Sequence, residues 1–236
     1  MSQFEIIFVR HGEAEFSFGT HSDPPLSKNG VTQSLKLVKH DGLQSLEEFM
    51  FISSPKLRAI ETAKPIANKF NKEIDIDETF IEIPSENIEM DQKQDWLKQM
   101  VQKEKNQLPD KIKSWDKNIF EKIRSFNQNT IIFSHFMVIN SILSTLSNNK
   151  NLLFFYPGYT SVTKIINIDG KLNHFSYEGN KKTFINLYDR PSRNSKIGSQ
   201  ILYGESFKIL KKEKNFFKIK AKYDNYIGYI KPARYS

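Results

Sequence analysis

The chain has 236 residues, is 38% hydrophobic and 26% charged, carries a formal net charge of +8 and contains no cysteine. That length holds one large domain, or one medium and one small, and the lack of cysteine excludes disulfides, thiolate nucleophiles and cysteine-based zinc sites. No apolar segment is long enough for a membrane span, and the N-terminus lacks the basic and apolar regions of a secretory signal, so a cytoplasmic location is expected.

In chain order, the apolar run Phe4–Val9 reads as a buried strand. It ends abruptly in Arg10-His11-Gly12-Glu13, at the strand-to-loop step where α/β sheets place their ligands. A polar turn, Ser22-Asp23-Pro24-Pro25, precedes Ser27, which looks like an N-cap. Val31, Leu35 and Val38 then give one helical face. Phe49-Met50-Phe51-Ile52 reads as a second strand ending in Ser53-Ser54-Pro55, with Pro55 suited to a helix's first turn. Leu57, Ile60, Ala63, Ile66, Ala67 and Phe70 form that helix's apolar side, and Pro65 predicts a kink. Ile74 and Ile76 mark a third short strand, and Ile81-Glu82-Ile83-Pro84-Ser85 a loop held by apolar anchors. Asp91–Lys105 and Pro109–Asn127 read as helices with Trp96 and Trp115 as packing anchors. Thr130–Ser134 is the strongest strand signal. His135 follows it, then an apolar helix, Phe136–Leu146. Ser161–Ile168 and Lys171–Tyr177 flank Asp169-Gly170 as a hairpin.

Strands alternating with helices imply a doubly wound, mostly parallel sheet with flanking helices. The carboxyl ends of parallel strands share one edge, so Arg10-His11, Ser53-Ser54 with Arg58, and Ser134-His135 converge. Two His and two Arg around one cleft make poor sense as a core, whereas paired guanidinium groups match phosphate oxygens. A neutral imidazole attacks phosphorus directly, and the leaving oxygen then needs a proton, for which Glu13 and Glu82 are the candidates. No carboxylate cluster with metal-like spacing lies nearby, so metal-assisted hydrolysis is not favoured and no cofactor is expected.

Arg10-His11-Gly12-Glu13, Leu26-Ser27-x-x-Gly30, Ser53-Ser54-Pro55-x-x-Arg58-Ala59-x-x-Thr62-Ala63, Glu82 and Ser134-His135 together resemble the histidine phosphatase superfamily, with its phosphoglycerate-mutase-like fold. The resemblance covers Phe4 to about Tyr177. It implies a phosphohistidine intermediate on His11 and phosphate binding by Arg10, His11, Arg58 and His135. It also implies proton donation by Glu82, with Glu86 a near alternative, and one His11 ring nitrogen bonded to a backbone carbonyl. The catalytic set is then His11, Glu82 and His135. Glu13, Ser17 and Ser53 stand as substrate contacts or as packing beside the phosphate. The chain departs from the family pattern at Ser17, where many members carry Asn, and at Phe136, where many carry Gly. Ile83-Pro84-Ser85-Glu86 replaces the Gly/Trp-rich segment of mutases. These departures argue for a small phosphomonoester substrate and a phosphatase; a mutase-type phosphotransferase and a non-catalytic phospho-ligand binder are the alternatives. Trp96, Trp115 and Phe136 read as core, His21 and His40 as surface residues, and His174 as part of a hairpin strand.

The pattern then changes. Lys182–Ser236 carries 13 Lys and Arg against 4 Asp and Glu, while the preceding 181 residues carry 22 against 23. We therefore expect a domain over 1–180 and a second over 181–236. Phe184–Tyr188, Gln200–Tyr203, Phe207–Leu210, Phe216–Lys220 and Tyr226–Ile230 read as five short strands of a small all-β barrel. Leu187-Tyr188-x-x-Pro191-Ser192, Leu202-Tyr203-Gly204-Glu205 and Tyr226-x-Gly228-Tyr229-Ile230 resemble the bacterial SH3-like domain of cell-wall cysteine peptidases. With no cysteine, peptidase activity is not implied. The resemblance implies a cell-wall peptide as one ligand of this basic unit and its charge an anionic polymer or membrane surface as another, but a solvated basic face on a docking module is the slightly preferred reading; nucleic acid is not expected because no recognition helix or RNA-binding motif is present.

Overall fold

The computed structural model describes residues 3–177, 179–180, 184–192, 195–202, 207–213, 215–221 and 225–230. They fall into two compact units, Met1–Gly179 and Asn180–Ser236.

The first unit alternates strands and helices: β1 (Gln3–Arg10), α1 (Lys28–Leu37), β2 (Met50–Ser53), α2 (Leu57–Phe70), β3 (Asp75–Ile76), α3 (Lys93–Gln102), α4 (Asp110–Ser125), β4 (Thr130–Ser134), α5 (Phe136–Leu146), β5 (Val162–Ile168) and β6 (Lys171–Tyr177). One six-stranded sheet runs β3-β2-β4-β1-β5-β6. β3, β2, β4 and β1 pair in parallel, and β5 and β6 add antiparallel at the β1 side. Side chains alternate across each strand. Ile6 and Phe8 of β1 join Ile132 and the apolar faces of α4 and α5 on one side, while Ile7 and Val9 join Phe51, Phe133 and the faces of α1 and α2 on the other. Burial on both faces is why these strands read as unbroken apolar runs. The register sets Arg10 opposite Ser134, and Ser53 opposite Phe133. Three strand ends therefore finish level.

The buried face of α1 differs from the expected one. Ser27 does cap the helix, accepting from the Gly30 amide at 3.0 Å. Yet Val31 and Leu35 are 47% and 58% exposed, and Gly30, Ser34 and Leu37 are buried instead. The cause is close backbone approach: a Cβ at Gly30 would collide with the Glu13 carbonyl, and one at Gly12 would meet the Gly30 carbonyl at 2.8 Å. A small-residue face lets α1 sit directly on the loop after β1, and of the three expected apolar positions it is Val38, at the C-cap, that packs against the core. α2 is one continuous helix that includes Pro65.

The second unit has five antiparallel strands, β7 (Phe184–Tyr188), β8 (Ile197–Leu202), β9 (Phe207–Glu213), β10 (Phe216–Ala221) and β11 (Ile227–Ile230), ordered β8-β7-β11-β10-β9. Leu187, Ile219 and Ile230 form its core, with Phe217 and Tyr226 packed against them. This is the SH3-like architecture expected; Tyr203, Gly204 and Glu205 of its second motif lie outside the described residues. Among the described residues, no helix is long and apolar enough to cross a membrane.

The Gly30 contact gives a test. Gly30→Ala should lower stability by roughly 1–3 kcal/mol, the usual cost of overpacking. Val31→Ala, one residue on but exposed, should stay within about 0.5 kcal/mol. Urea denaturation of the two variants checks the contrast.

Candidate active site

The sheet edge assembles the site through backbone bonds. The His11 amide donates to the Ser134 carbonyl at 3.0 Å, and the Ser54 amide donates to the Phe133 carbonyl at 2.9 Å. His135, directly after β4, is the N-cap residue of α5.

Arg58 bridges two buried histidines. Its Nε donates to His11 Nε2 at 3.2 Å and its Nη2 donates to His135 Nδ1 at 3.2 Å. A guanidinium is donor-only, so both ring nitrogens must present lone pairs. The remaining ring nitrogens carry the protons: His11 Nδ1 donates to the Gly12 carbonyl at 2.6 Å, and His135 Nε2 donates to Ser54 Oγ at 2.7 Å. The two rings are thus neutral and opposite tautomers, with centroids 5.2 Å apart. Burial, and next the Arg58 charge, hold both well below the ordinary histidine pKa of 6.5, with Arg10 adding to the effect.

Arg58 is itself held in place. Thr62 Oγ1 donates to the Arg58 carbonyl at 2.7 Å and accepts from the Gly12 amide at 2.9 Å, tying α2 to the His11 loop. Asp23 lies 3.8 Å from Arg58 Nη1 and accepts from the Leu57 amide at 3.1 Å. One carboxylate therefore caps α2 and faces its guanidinium. Arg10 donates from Nη1 to the Pro157 carbonyl at 2.7 Å. Its guanidinium carbon sits 4.2 Å from the Tyr159 ring centroid and 5.1 Å from that of Phe136. Arg10 Nε is buried and has no hydrogen-bond partner among the described residues.

Glu82 Oε1 accepts from the amides of Ile83 at 3.0 Å and Met137 at 3.2 Å, the latter at the start of α5. Burial raises its pKa above the usual carboxylate value, against the pull of those amides and of Arg58 and Arg10. Trp115 Nε1 donates to the Ile81 carbonyl at 3.1 Å and fixes this segment to α4. Glu86 is exposed and bonded to Lys111 at 2.6 Å, which holds its carboxyl low.

These groups open on a cavity of about 640 Å³ whose wall includes Arg10, His11, Arg58 and Glu82. Glu13 lines it too, but its carboxylate accepts from Ser27 Oγ at 2.6 Å and Asn29 Nδ2 at 3.1 Å, at the N-terminus of α1. Ser17 is exposed on the wall. Ser53 is fully buried, donates to the Ser54 carbonyl at 2.9 Å and does not line the cavity. Phe136 packs against the core as expected and also forms part of the wall. Sequence reasoning brought Ser54 to this edge without giving it a partner, and missed Asp23 and also Thr62, which stood inside the second motif. It also missed Tyr159, for which no sequence signal existed. Among the described residues, no three His, Asp or Glu side chains are grouped as a metal ion would require.

The model of the histidine phosphatase superfamily (branch 1) matches residues 6–178. The chain belongs to this superfamily. The model of a bacterial dipeptidyl-peptidase SH3 domain matches residues 187–233. A search of curated proteins finds no match. Among solved structures, YhfR of Bacillus stearothermophilus is similar at a TM-score of 0.61 and 22% identity, over 75% of this chain and 96% of that one. Phosphoserine phosphatase from Entamoeba histolytica is similar at 0.57 and 21%, over 75% of this chain and 98% of that one. Mycobacterial glucosyl-3-phosphoglycerate phosphatase is similar at 0.55 and 15%, over 75% and 98%. At these identities the likeness is one of fold.

The neutral histidines make stability pH-dependent. Below pH 6.5 the unfolded chain takes up protons that folded His11 and His135 refuse, so their contribution is complete above pH 6.5 and is lost as pH falls toward their folded values. Glu82, with its folded pKa raised, works in the opposite sense: its contribution is present below the ordinary carboxylate value and is lost as pH rises through its folded value, so it offsets part of the slope of the two histidines. Urea denaturation between pH 7 and pH 5.5 should show stability falling with pH, by at most about 1.4 kcal/mol per pH unit for each histidine. His135→Asn should make that slope shallower.

Proposed function

We propose that the protein is a phosphomonoester hydrolase that works through a phosphohistidine on His11. The observation that carries this reading is the Arg58 bridge, which keeps His11 neutral with its Nε2 lone pair beside a buried cation. A substrate phosphoryl group takes the place of that contact, its oxygens held by Arg58, Arg10 and His135. The His11 Nε2 lone pair attacks phosphorus and the ester P–O bond breaks. The departing alkoxide takes the proton of the Glu82 carboxyl. Glu82, now a carboxylate, removes a proton from water, the water oxygen attacks phosphorus, the P–N bond breaks and inorganic phosphate leaves. His11 keeps its Nδ1 proton on the Gly12 carbonyl throughout.

The pKa directions support this division of roles. His11 is held low and so remains a nucleophile in mild acid, while Glu82 is held high and so retains a proton to give. Glu86 is held low by Lys111, which makes it the poorer acid. The Ile83-Pro84-Ser85-Glu86 segment, in place of the mutase insertion, favours water over a second substrate hydroxyl as the acceptor.

His11→Ala should abolish hydrolysis of p-nitrophenyl phosphate, and wild type quenched in alkali during turnover should yield acid-labile phosphohistidine. Unchanged turnover in the variant would sink the mechanism. Glu82→Gln should slow alkyl phosphates by about 100-fold or more, and p-nitrophenyl phosphate, whose leaving group needs no proton, far less. The rate should fall in acid only well below pH 6.5, as His11 protonates, and fall again at higher pH as Glu82 ionises. The second limb should disappear in Glu82→Gln. Chelators should leave the rate unchanged.

A further inference from the structure

The cavity is far larger than a phosphate needs, and its outer wall has an unusual feature. Among the side chains described, the exposed Phe, Tyr and Trp rings are Phe16, at 45%, and Tyr159, at 43%, and both line this cavity. An exposed aromatic ring taken singly is ordinary, but two lining one cavity point to a ligand.

Both rings are held rather than loose. Phe16 stacks on His21 with centroids 5.2 Å apart and planes 13° from parallel. Its loop is tied down on both sides: the Glu15 amide donates to the Pro25 carbonyl at 2.9 Å, and Gln94 Nε2 donates to the Phe18 carbonyl at 3.2 Å. Tyr159 lies over Arg10, its ring centroid 6.2 Å from that of His11. The next residue, Thr160, has φ 56°, a left-handed conformation that a β-branched residue adopts only under constraint. Its amide donates to the Arg10 carbonyl at 3.1 Å. The backbone thus bears strain where Tyr159 is fixed beside the phosphate-facing arginine.

We propose that the substrate's leaving group carries a planar aromatic ring, received by Phe16 and Tyr159 while its phosphate lies on Arg10 and Arg58. The inference rests on the phosphomonoesterase reading of the same site. Away from Arg10 and Arg58 the wall carries charges of both signs, Lys56 and Lys93 with Glu13, Glu15, Glu82 and Glu86, so it does not select a second anionic group on the leaving moiety. The ring's chemistry is shared by nucleoside monophosphates and phosphotyrosine.

Benzyl phosphate and cyclohexylmethyl phosphate isolate the ring, since both are primary-alcohol esters of equal charge and similar size. Calorimetric titration of the His11→Ala chain, which cannot turn either over, should show benzyl phosphate bound about three- to tenfold more tightly. Phe16→Leu and Tyr159→Leu, which keep an apolar side chain and remove the ring, should each shrink that ratio toward one. Equal affinity, preference for the saturated ring, a ratio unmoved by both variants, or no binding of either ester would overturn the proposal. Adenosine monophosphate against ribose 5-phosphate, and phosphotyrosine against phosphoserine, then separate the two sources. A preference for the ring-bearing member of either pair supports the proposal, and preference in neither overturns it. Wild type that binds benzyl phosphate with the ring preference yet hydrolyses no ester would sink the hydrolase reading alone.

Discussion

One buried guanidinium shared between two imidazoles governs the chemistry of the first unit. Arg58 cannot accept a hydrogen bond, so its placement fixes which nitrogen of His11 and which of His135 lacks a proton. The surrounding contacts serve that placement. Gly12 and Ser54 take up the protons on the far nitrogens, Thr62 holds the Arg58 backbone, and Asp23 faces the charge. The compensation is incomplete, because Asp23 stands 3.8 Å away and is partly in water, while burial weakens the hold of Arg58 and Arg10 on their protons. A site with surplus positive charge held in rigid geometry costs stability and is suited to a tetrahedral anion.

The sheet delivers that geometry at long range. His11 and His135 are 124 residues apart in sequence, yet the parallel register of β1 on β4 brings their strand ends level, and β2 adds Ser54 on the other side of β4. The close fit of α1 against the His11 loop depends on Gly30 as much as on any apolar contact. The antiparallel pair β5 and β6 covers the other side of β1, and the turn before β5 carries Tyr159 back over Arg10.

Legibility in the sequence followed the range of the interaction. β4 and α5 stood out because both are nearly pure apolar runs with polar punctuation, and their bounds, Thr130–Ser134 and Phe136–Leu146, match the reading. The residues of the Arg-His-Gly, Ser-Ser-Pro-x-x-Arg and Ser-His motifs were legible because parallel topology confines strand ends to one edge. The face of α1 was misread because backbone contact through Gly30 and Ser34 outweighed the hydrophobic period of Val31 and Leu35. Asp23 was invisible as a partner of Arg58 because a turn residue's tertiary bond leaves no periodic trace. Glu13 looked like an acid for the cleft, but its carboxylate is bonded to the start of α1.

Trp115 has a consequence of another kind. The chain contains two tryptophans, Trp96 and Trp115, and both lie in the first unit. Trp115 is almost fully buried, and its ring nitrogen is bonded to the backbone one residue before Glu82. Any ligand or mutation that shifts the Glu82 segment changes the polarity around that indole. The first unit thus contains its own fluorophore, placed one hydrogen bond from the cavity wall.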